Sequence, residues 1–277
     1  MSKSRDYLRS LALKEMTLPE VQNNIKNTLY YFADFCEAHG LTYWLAYGTL
    51  LGAARHKDII PWDDDIDVWM PRPDYEKFLS IFNEDSNYSF HYLGNDKHQY
   101  DYRGIICDNR TLHSYGRRVT DFLYGLHIDV FPLDYLDDNP VVRARDARRS
   151  YKLMDLSHRL CLAESKTYLE NHSLLHGLAF RIAKATVSKS DLRKRMHREE
   201  IKAMDHPKSH WLGIIGDPSI DGYKAEWFND TVYLKYGSRE LAVPAGFDSI
   251  LKAQYGDYML LPPVEQRKPY GHGYWRA

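Results

Sequence analysis

The first clear pattern in the chain is a helical repeat of apolar positions. A Thr-Leu-Pro-Glu sequence at 17–20 has the spacing of a capping box with proline in the first turn. Apolar residues then recur at intervals of three and four: Val21, Ile25, Leu29, Phe32 and Phe35. This spacing predicts an amphipathic helix that buries one face and ends at Gly40.

Shorter apolar runs after Gly40 predict strands that alternate with helices. LTYWLAY (41–47) is typical of a strand, and Gly48 opens a short helix that we expect to reach about His56. DIDVWM (65–70) predicts a second strand, which Pro71 should end before the helical pattern DYEKFLSIF. We expect three more strands, the last of them ended by proline: 88–93, 102–107 and 126–131.

The order of these patterns predicts an α/β (α+β) fold, a mixed sheet flanked by helices, in three regions. Residues 1–138 should form the core, and 139–204, helical in pattern and poor in β-branched residues, a helical insertion or subdomain. Within 205–277, TVYLKYGSRELAVP predicts a hairpin around Gly237, and AGFDSILKAQYGDYM predicts a helix ending near Gly256. We expect this last region to complete the core.

Four aspartates interrupt the apolar texture of the second strand. Asp63, Asp64, Asp65 and Asp67 occupy four of five positions. Side chains alternate along a strand, so Asp65 and Asp67 share one face while Ile66 faces the core. Two carboxylates placed in this way would repel each other, and a divalent cation between them removes the repulsion. Because carboxylate oxygens favour Mg²⁺ or Mn²⁺ over zinc, we predict such a site; Asp63 and Asp64 either join it or cap the preceding turn.

Asp129, in HIDVFPLD, has the same apolar setting on another predicted strand. It either brings a third carboxylate to the site or simply ends its strand. Three carboxylates can hold two ions, which bridge the oxygens of a diphosphate and activate an attacking hydroxyl. We therefore predict that Asp65, Asp67 and Asp129 are both metal ligands and catalytic residues. His127 has the same strand parity as Asp129 and could reach the site.

A phosphate-binding turn is the natural complement to a metal site of this kind. Gly48 and Thr49 stand at a predicted helix start, where backbone N–H groups and a hydroxyl can approach phosphate oxygens. Arg55 and Lys57 could add positive charge. The alternatives are an ordinary helix cap for the first pair and solvated surface cations for the second.

The charge of the chain is unevenly distributed. The net charge is −1 over 277 residues, but residues 139–200 carry 14 Lys and Arg against 7 Asp and Glu. The remainder is therefore acidic. The small net charge argues against a general nucleic-acid binder. The basic helices suggest a polyanionic or membrane-surface partner, unless their charges form a solvated helix face. The three cysteines have no paired spacing, and neither a signal peptide nor a spanning segment is evident, so we expect a cytoplasmic protein.

Three other interpretations share these residues. An EF-hand loop fails because Val68 stands where that loop needs glycine and Asp74 where it needs glutamate. A nucleic-acid-binding module would leave the acidic strand unexplained. A nucleotide-sugar glycosyltransferase with an Asp-x-Asp metal site stays the main alternative, although that class places its motif later in a nucleotide-binding sheet.

The quoted motifs together resemble a known family. YGTLLGAARHKDIIPWDDDIDVWMPRPDYEKF closely resembles the signature of the LicD family of phosphocholine transferases, relatives of fukutin and fukutin-related protein with a nucleotidyltransferase fold. HIDVFPLD and VPAGFDSILKAQYGDYMLLPP are similar to later motifs of that family. In this resemblance Gly48 and Thr49 match the small-residue turn, Asp65 and Asp67 the metal pair, and Asp129 the third acidic position.

The resemblance implies transfer of phosphocholine or a related phospho-alcohol from CDP-choline or another CDP-alcohol, with release of CMP. The acceptor would be a sugar hydroxyl of teichoic acid or another surface or lipid-linked glycan, and the basic helices, including LLHGLAFRIAKATV, would suit contact with the inner face of a membrane. No nucleic acid is expected. Choline would need an aromatic cage, for which we name six candidates: Trp62, Trp69, Tyr115, Tyr124, Trp211 and Trp227.

Overall fold

The chain folds around a mixed sheet flanked by helices, which confirms the predicted α/β class. The structure, a computed structural model, describes residues 13–83, 85, 87–114, 124–164, 187–219, 221–269 and 273–276. Tyr115 and nearly all of LLHGLAFRIAKATV lie outside these residues. Within them, no helix is both long enough and apolar enough to cross a bilayer.

The described helices and strands follow in chain order. The helices are α1 (Leu18–His39), α2 (Tyr47–Leu51), α3 (Arg72–Ile81), α4 (Pro140–Glu164), α5 (Lys189–Met204) and α6 (Phe247–Tyr255), and a π-helical turn at Gly52–His56 continues α2. The strands are β1 (Lys14–Glu15), β2 (Trp44–Leu45), β3 (Asp67–Pro71), β4 (Tyr88–His91), β5 (Gly104–Ser114), β6 (Tyr124–Leu136), β7 (Trp211–Gly213), β8 (Tyr223–Lys224), β9 (Thr231–Tyr236), β10 (Arg239–Pro244) and β11 (Gly273–Arg276).

The main sheet has the order β1-β11-β5-β6-β3-β2, with β4 paired to β5 and β7 linking β6 to β8. Strands β3 and β6 run parallel, whereas the other described pairs are antiparallel. Strands β9 and β10 form a separate hairpin, as predicted. The parallel pair lies inside the sheet, so the two strands that carry the predicted acidic residues are direct neighbours.

Helix α1 confirms the sequence prediction at both ends. The backbone N–H of Thr17 donates to the Glu20 carboxylate at 2.8 Å, and Gly40 ends the helix in the left-handed region at φ 60°. Such a φ favours glycine because it has no Cβ. The apolar face is fully buried against the sheet, at Val21, Ile25, Leu29 and Phe32.

We predicted that strand β6 would end before Pro132. In the structure it continues to Leu136. The N–H of Asp129 donates to Ile66 on the β3 side, so by alternation the nitrogen of Pro132 points to the β5 side. There β5 begins only at Gly104, opposite Val130. The missing donor of Pro132 therefore removes no hydrogen bond to β5, and the strand passes through it.

The other strand predictions in the main sheet were also wrong in extent; β4, for example, ends at His91 and not at Leu93. The run 41–47 forms only the two residues of β2, because Tyr47 has a positive φ of 45° and starts α2. The run 65–70 begins as a strand only at Asp67, so Asp65 lies in the segment that leads into β3. Strand β5, in contrast, is longer than expected and reaches Ser114.

The predicted helical region contains α4 and α5. The apolar side of α5 packs inside the protein. Leu192 and Met196 are buried, and Met196 lies in a small cluster with Leu93 and Tyr102. In the C-terminal region, β11 pairs with β5 and β7 pairs with β6. These contacts agree with a C-terminal region that completes the core, although the division into three regions stays a prediction.

A buried ion pair joins the end of β3 to β6. Arg72, the first residue of α3, donates through Nε and Nη2 to the two carboxylate oxygens of Asp134, both at 2.7 Å. Both side chains are shielded from solvent. This paired geometry holds the two parallel strands together beyond the point where the acidic residues lie.

Candidate active site

Strand register places the predicted acidic residues together. In the parallel pairing of β3 and β6, Asp67 lies directly opposite Asp129, and the Asp129 N–H donates to the carbonyl of Ile66 at 2.9 Å. Asp65 precedes Asp67 by two residues, with the buried Ile66 between them. The charges of Asp65 and Asp129 both act on Asp67, so we refer to these carboxylates, with Asp63 and Asp64, as the acidic cluster.

Mutual repulsion and desolvation raise the pKa values of this cluster. Asp65 keeps access to solvent, yet desolvation followed by the charges of Asp63 and Asp129 raises its pKa to about 7. Desolvation and the charges of Asp65 and Asp129 raise the pKa of Asp67 well above its usual value, and Arg103 opposes that rise. The pKa of Asp63 rises to about 6, from desolvation and the charge of Asp64, with Arg55 opposing. Arg55 and Arg103 thus offset only part of the repulsion between the carboxylates of this cluster.

Two carboxylate oxygens of the cluster, both on Asp64, are buried and accept no hydrogen bond from the described residues. Oδ1 of Asp129 is buried as well, and it has an ion-pair contact with Arg103 at 3.3 Å. Buried polar atoms of native proteins are normally satisfied, so such atoms point to a missing partner. No three side chains of the described residues form a ready-made metal cage. The residues nevertheless fit a hard divalent cation, because unsatisfied carboxylate oxygens are the ligands such ions prefer.

The turn at the start of α2 supports the acidic segment. The N–H of Asp67 donates to the buried Thr49 Oγ1 at 2.9 Å, so this hydroxyl fixes the first residue of β3. A Cβ added at Gly48 would lie 3.2 Å from Oδ2 of Asp63, so a larger residue would crowd the cluster. The structure shows these two residues positioning the aspartates, and phosphate binding by them stays a prediction.

Three further predicted residues, Arg55, Lys57 and Trp62, each have contacts of their own. Arg55 Nη1 donates to the carbonyls of Tyr258 at 2.8 Å and Leu260 at 3.1 Å. Lys57 is exposed, and its Nζ donates to Ala54. The guanidinium of Arg267 lies 5.7 Å from the centre of the Trp62 ring. Arg55 is therefore a link between the acidic cluster and the C-terminal segment, and substrate contacts of all three residues stay predictions.

Arg103 is a charged neighbour that the sequence did not indicate. Its Nε lies 3.3 Å from Asp129 Oδ1, its Nη1 lies 3.4 Å from Asp101, and its guanidinium stands 5.5 Å from the centre of the Phe131 ring. On the other side, His127 Nε2 lies 3.8 Å from the same oxygen of Asp129. Arg103 stands directly before β5, and only the pairing of β5 with β6 brings it to Asp129.

The aromatic side chains nearest the acids also differ from those expected. Trp69 is fully buried in the core, which removes it as a candidate for a ligand cage. The hydroxyl of Tyr124 donates to Asp96, and Tyr124 lies at the opposite end of β6 from Leu136, five residues before Asp129. Tyr47 instead packs edge-on against Phe131, with ring centroids 5.5 Å apart, and the charge of Asp67 acts on its hydroxyl. Tyr47 and Phe131 therefore form an aromatic corner beside Asp67.

Proteins of similar sequence indicate the family of the chain. Residues 40–144 match the family model described as LicD/FKTN/FKRP, nucleotidyltransferase domain. The chain is 30% identical to lipopolysaccharide cholinephosphotransferase LicD of Haemophilus influenzae over 280 residues, which cover 93% of this chain and 97% of that protein. It is 34% identical to human ribitol 5-phosphate transferase FKRP over 109 residues, or 39% of this chain and 20% of FKRP. The residues matched by the family model contain the predicted metal ligands and phosphate-binding residues, but not the cage candidates Trp211 and Trp227.

Proposed function

The chain belongs to the LicD family and is a phosphotransferase, and from this premise we propose that it transfers phosphocholine or a related phospho-alcohol from a CDP-linked donor to a hydroxyl of a glycan. The observation that carries the proposal is the parallel register that sets Asp67 opposite Asp129. The names of the relatives, a cholinephosphotransferase and a ribitol 5-phosphate transferase, support a phospho-alcohol as the transferred group. They also favour phosphoryl transfer over the glycosyltransferase alternative.

We propose Asp65, Asp67 and Asp129 as ligands of Mg²⁺ or Mn²⁺. The raised pKa values of Asp65 and Asp67, and the register that sets Asp129 opposite Asp67, support this role. A bound cation would neutralise the diphosphate of the donor and favour ionisation of the attacking hydroxyl. Thr49 and Gly48 keep the carboxylates in place, since the first anchors the Asp67 backbone and the second leaves room beside Asp63.

In the proposed reaction the acceptor oxygen forms a bond to the phosphorus that carries the alcohol, and the bond from that phosphorus to the CMP oxygen breaks. The acceptor proton passes to the Asp129 carboxylate, and CMP leaves with the bonding electrons. Arg103, which stands beside Asp129, would direct its N–H groups to a phosphate oxygen as charge shifts to the leaving group. Tyr47 and Phe131 would offer ring faces to a quaternary ammonium head group.

The test is an assay of CMP release with a panel of donors and acceptors. Purified protein with Mg²⁺ is incubated with CDP-choline, CDP-ethanolamine, CDP-glycerol or CDP-ribitol, with and without teichoic acid or lipopolysaccharide fragments. We expect CMP release that depends on one donor and one acceptor, together with a phosphorylated glycan detected by mass spectrometry. Consumption of a UDP-sugar in place of every CDP-alcohol would instead establish the glycosyltransferase alternative.

Replacement of Arg103 by methionine is expected to lower kcat/KM by about 100-fold, the usual cost of losing one preorganised donor. Methionine keeps an apolar stem beside Phe131 but leaves Asp129 without its ion-pair partner, so the thermal unfolding temperature should fall, and circular dichroism at the assay temperature verifies that the protein is folded. Arg145→Met, at an exposed position on α4, is the matched control and should retain full activity. An Arg103→Met protein as active as this control would exclude Arg103 from the reaction.

A further inference from the structure

The segment after α6 exposes an unusual run of apolar side chains. Met259, Leu260, Leu261 and Val264 are 56%, 69%, 50% and 72% exposed. We refer to residues 259–264 as the apolar loop. Singly exposed apolar residues are common, but a contiguous run of large ones marks a surface that contacts another body.

The backbone of the apolar loop is held in this position by the rest of the molecule. Arg55 donates to the carbonyls of Tyr258 and Leu260, and Arg267 Nε donates to the Pro262 carbonyl at 2.8 Å. These bonds tie the backbone of the loop to the protein while its apolar side chains stay exposed.

The same contacts place the apolar loop at the edge of the acidic cluster. Arg55 lies within electrostatic range of both Asp63 and Arg267, and Arg267 also stands over Trp62. Trp62 directly precedes the aspartates in sequence. Whatever covers the apolar loop is therefore brought next to the candidate active site.

We propose that the apolar loop inserts into the interface of a lipid bilayer and docks the protein reversibly on a membrane surface. With four large side chains 50–72% exposed, the loop presents roughly 400 Å² of apolar surface, within the range of single surface patches, whereas a standard protein–protein interface buries about 800 Å² on each partner. It is thus too small for a stable dimer but sufficient for shallow insertion of a few side chains. This proposal does not depend on the proposed reaction.

The charges around the apolar loop indicate how it binds. Asp257 and Glu265 are exposed beside Arg267 and Lys268, so the opposite charges largely cancel. Insertion should therefore depend on burial of apolar side chains and not on attraction to anionic lipids. This differs from the expected contact through the basic helices, where anionic lipid and low salt would be required.

The experiment is vesicle flotation of the full chain with phosphatidylcholine vesicles at high salt. Wild-type protein should float with the vesicles, and the double variant Met259→Ser/Leu260→Ser should partition at least about tenfold less. Val141→Ser, which changes a residue that is 75% exposed on α4, is the matched control and should bind as the wild type does. Circular dichroism of the three proteins verifies that each is folded.

A fluorescence measurement reports on the apolar loop itself. All three native cysteines are buried, so a thiol-reactive, environment-sensitive dye should label only the new side chain of Leu261→Cys. Vesicles should shift its emission to shorter wavelength. Absence of both flotation and this shift, or flotation equal in wild type and double variant, would overturn the proposal. So would a dimer in sedimentation analysis that the double variant abolishes, because the loop would then bind a second copy.

Discussion

Replacing Asp67 by asparagine is expected to lower kcat by about 1000-fold, the upper part of the range for loss of one preorganised electrostatic group. The substitution keeps the size of the side chain and the backbone N–H bond to Thr49, but it removes a charged ligand from the centre of the cluster. The measurement is product formation at saturating donor and acceptor. Asp191→Asn, at an exposed position on α5, is the matched control and should be fully active.

The same Asp67→Asn substitution should leave the free energy of unfolding unchanged or slightly increased. Burial and the charges of Asp65 and Asp129 disfavour the ionised form of Asp67, so neutralising it removes a repulsion from the folded state. An active site that costs stability in this way is common among enzymes. Urea unfolding tests the point, and an inactive protein that is also unfolded would show that Asp67 is needed for the fold and leave no support for a catalytic role. A folded protein with nearly normal kcat would contradict the site assignment.

Replacing Arg72 by methionine is expected to destabilise the protein by about 3–5 kcal/mol, because the buried Asp134 carboxylate would lose its ion pair. Urea unfolding measures this loss. Arg159→Met is the matched control, since Arg159 pairs with Asp155 at an exposed site on α4, and its removal should cost less than about 1 kcal/mol. Arg72→Met/Asp134→Leu should recover much of the loss, because it removes the unpaired charge as well.

The pH dependence of the Arg72→Met protein provides a separate check. Burial raises the pKa of Asp134, and Arg72 opposes that rise, so without Arg72 the pKa should rise further. The folded variant would then retain a proton that the unfolded chain loses above about pH 4. Its stability should therefore fall as pH rises from 4 to neutrality. A destabilisation independent of pH over this interval would show that lost packing, and not the unpaired carboxylate, is the cause.

Features with local signals were predicted well from the sequence. Helix α1 has a capping box, an apolar face and a C-terminal glycine within 24 consecutive residues, and the β9–β10 hairpin turns at Gly237, whose φ is 63°. Each signal lies within the element that it specifies. The limits of β6 were missed because they depend on which neighbour stands beside Pro132, and that neighbour is decided by distant pairing.

The candidate site was predictable in part for the same reason. The aspartates on β3 and β6 could be identified from their apolar neighbours, but only the parallel register shows that Asp67 and Asp129 are opposite each other. Arg103 reaches the site through pairing of β5 with β6, and its own sequence context gives no sign of this. Arg55 was selected from the sequence as a cation near the aspartates, but its contacts with Tyr258 and Leu260 bridge about two hundred residues and could not be read from local sequence.

The most direct test of the central claim is a titration of metal-free protein with Mn²⁺, followed by electron paramagnetic resonance and by calorimetry in buffers of different ionisation enthalpy. Because the pKa of Asp65 is raised to about 7 and that of Asp63 to about 6, we predict saturable binding that releases protons near neutral pH and tightens as pH rises. Asp67→Asn should weaken binding strongly, while Asp191→Asn should not. Failure of the wild-type protein to bind Mn²⁺ or Mg²⁺, or equal binding by the Asp67→Asn protein, would contradict the proposal that the acidic cluster holds a divalent cation.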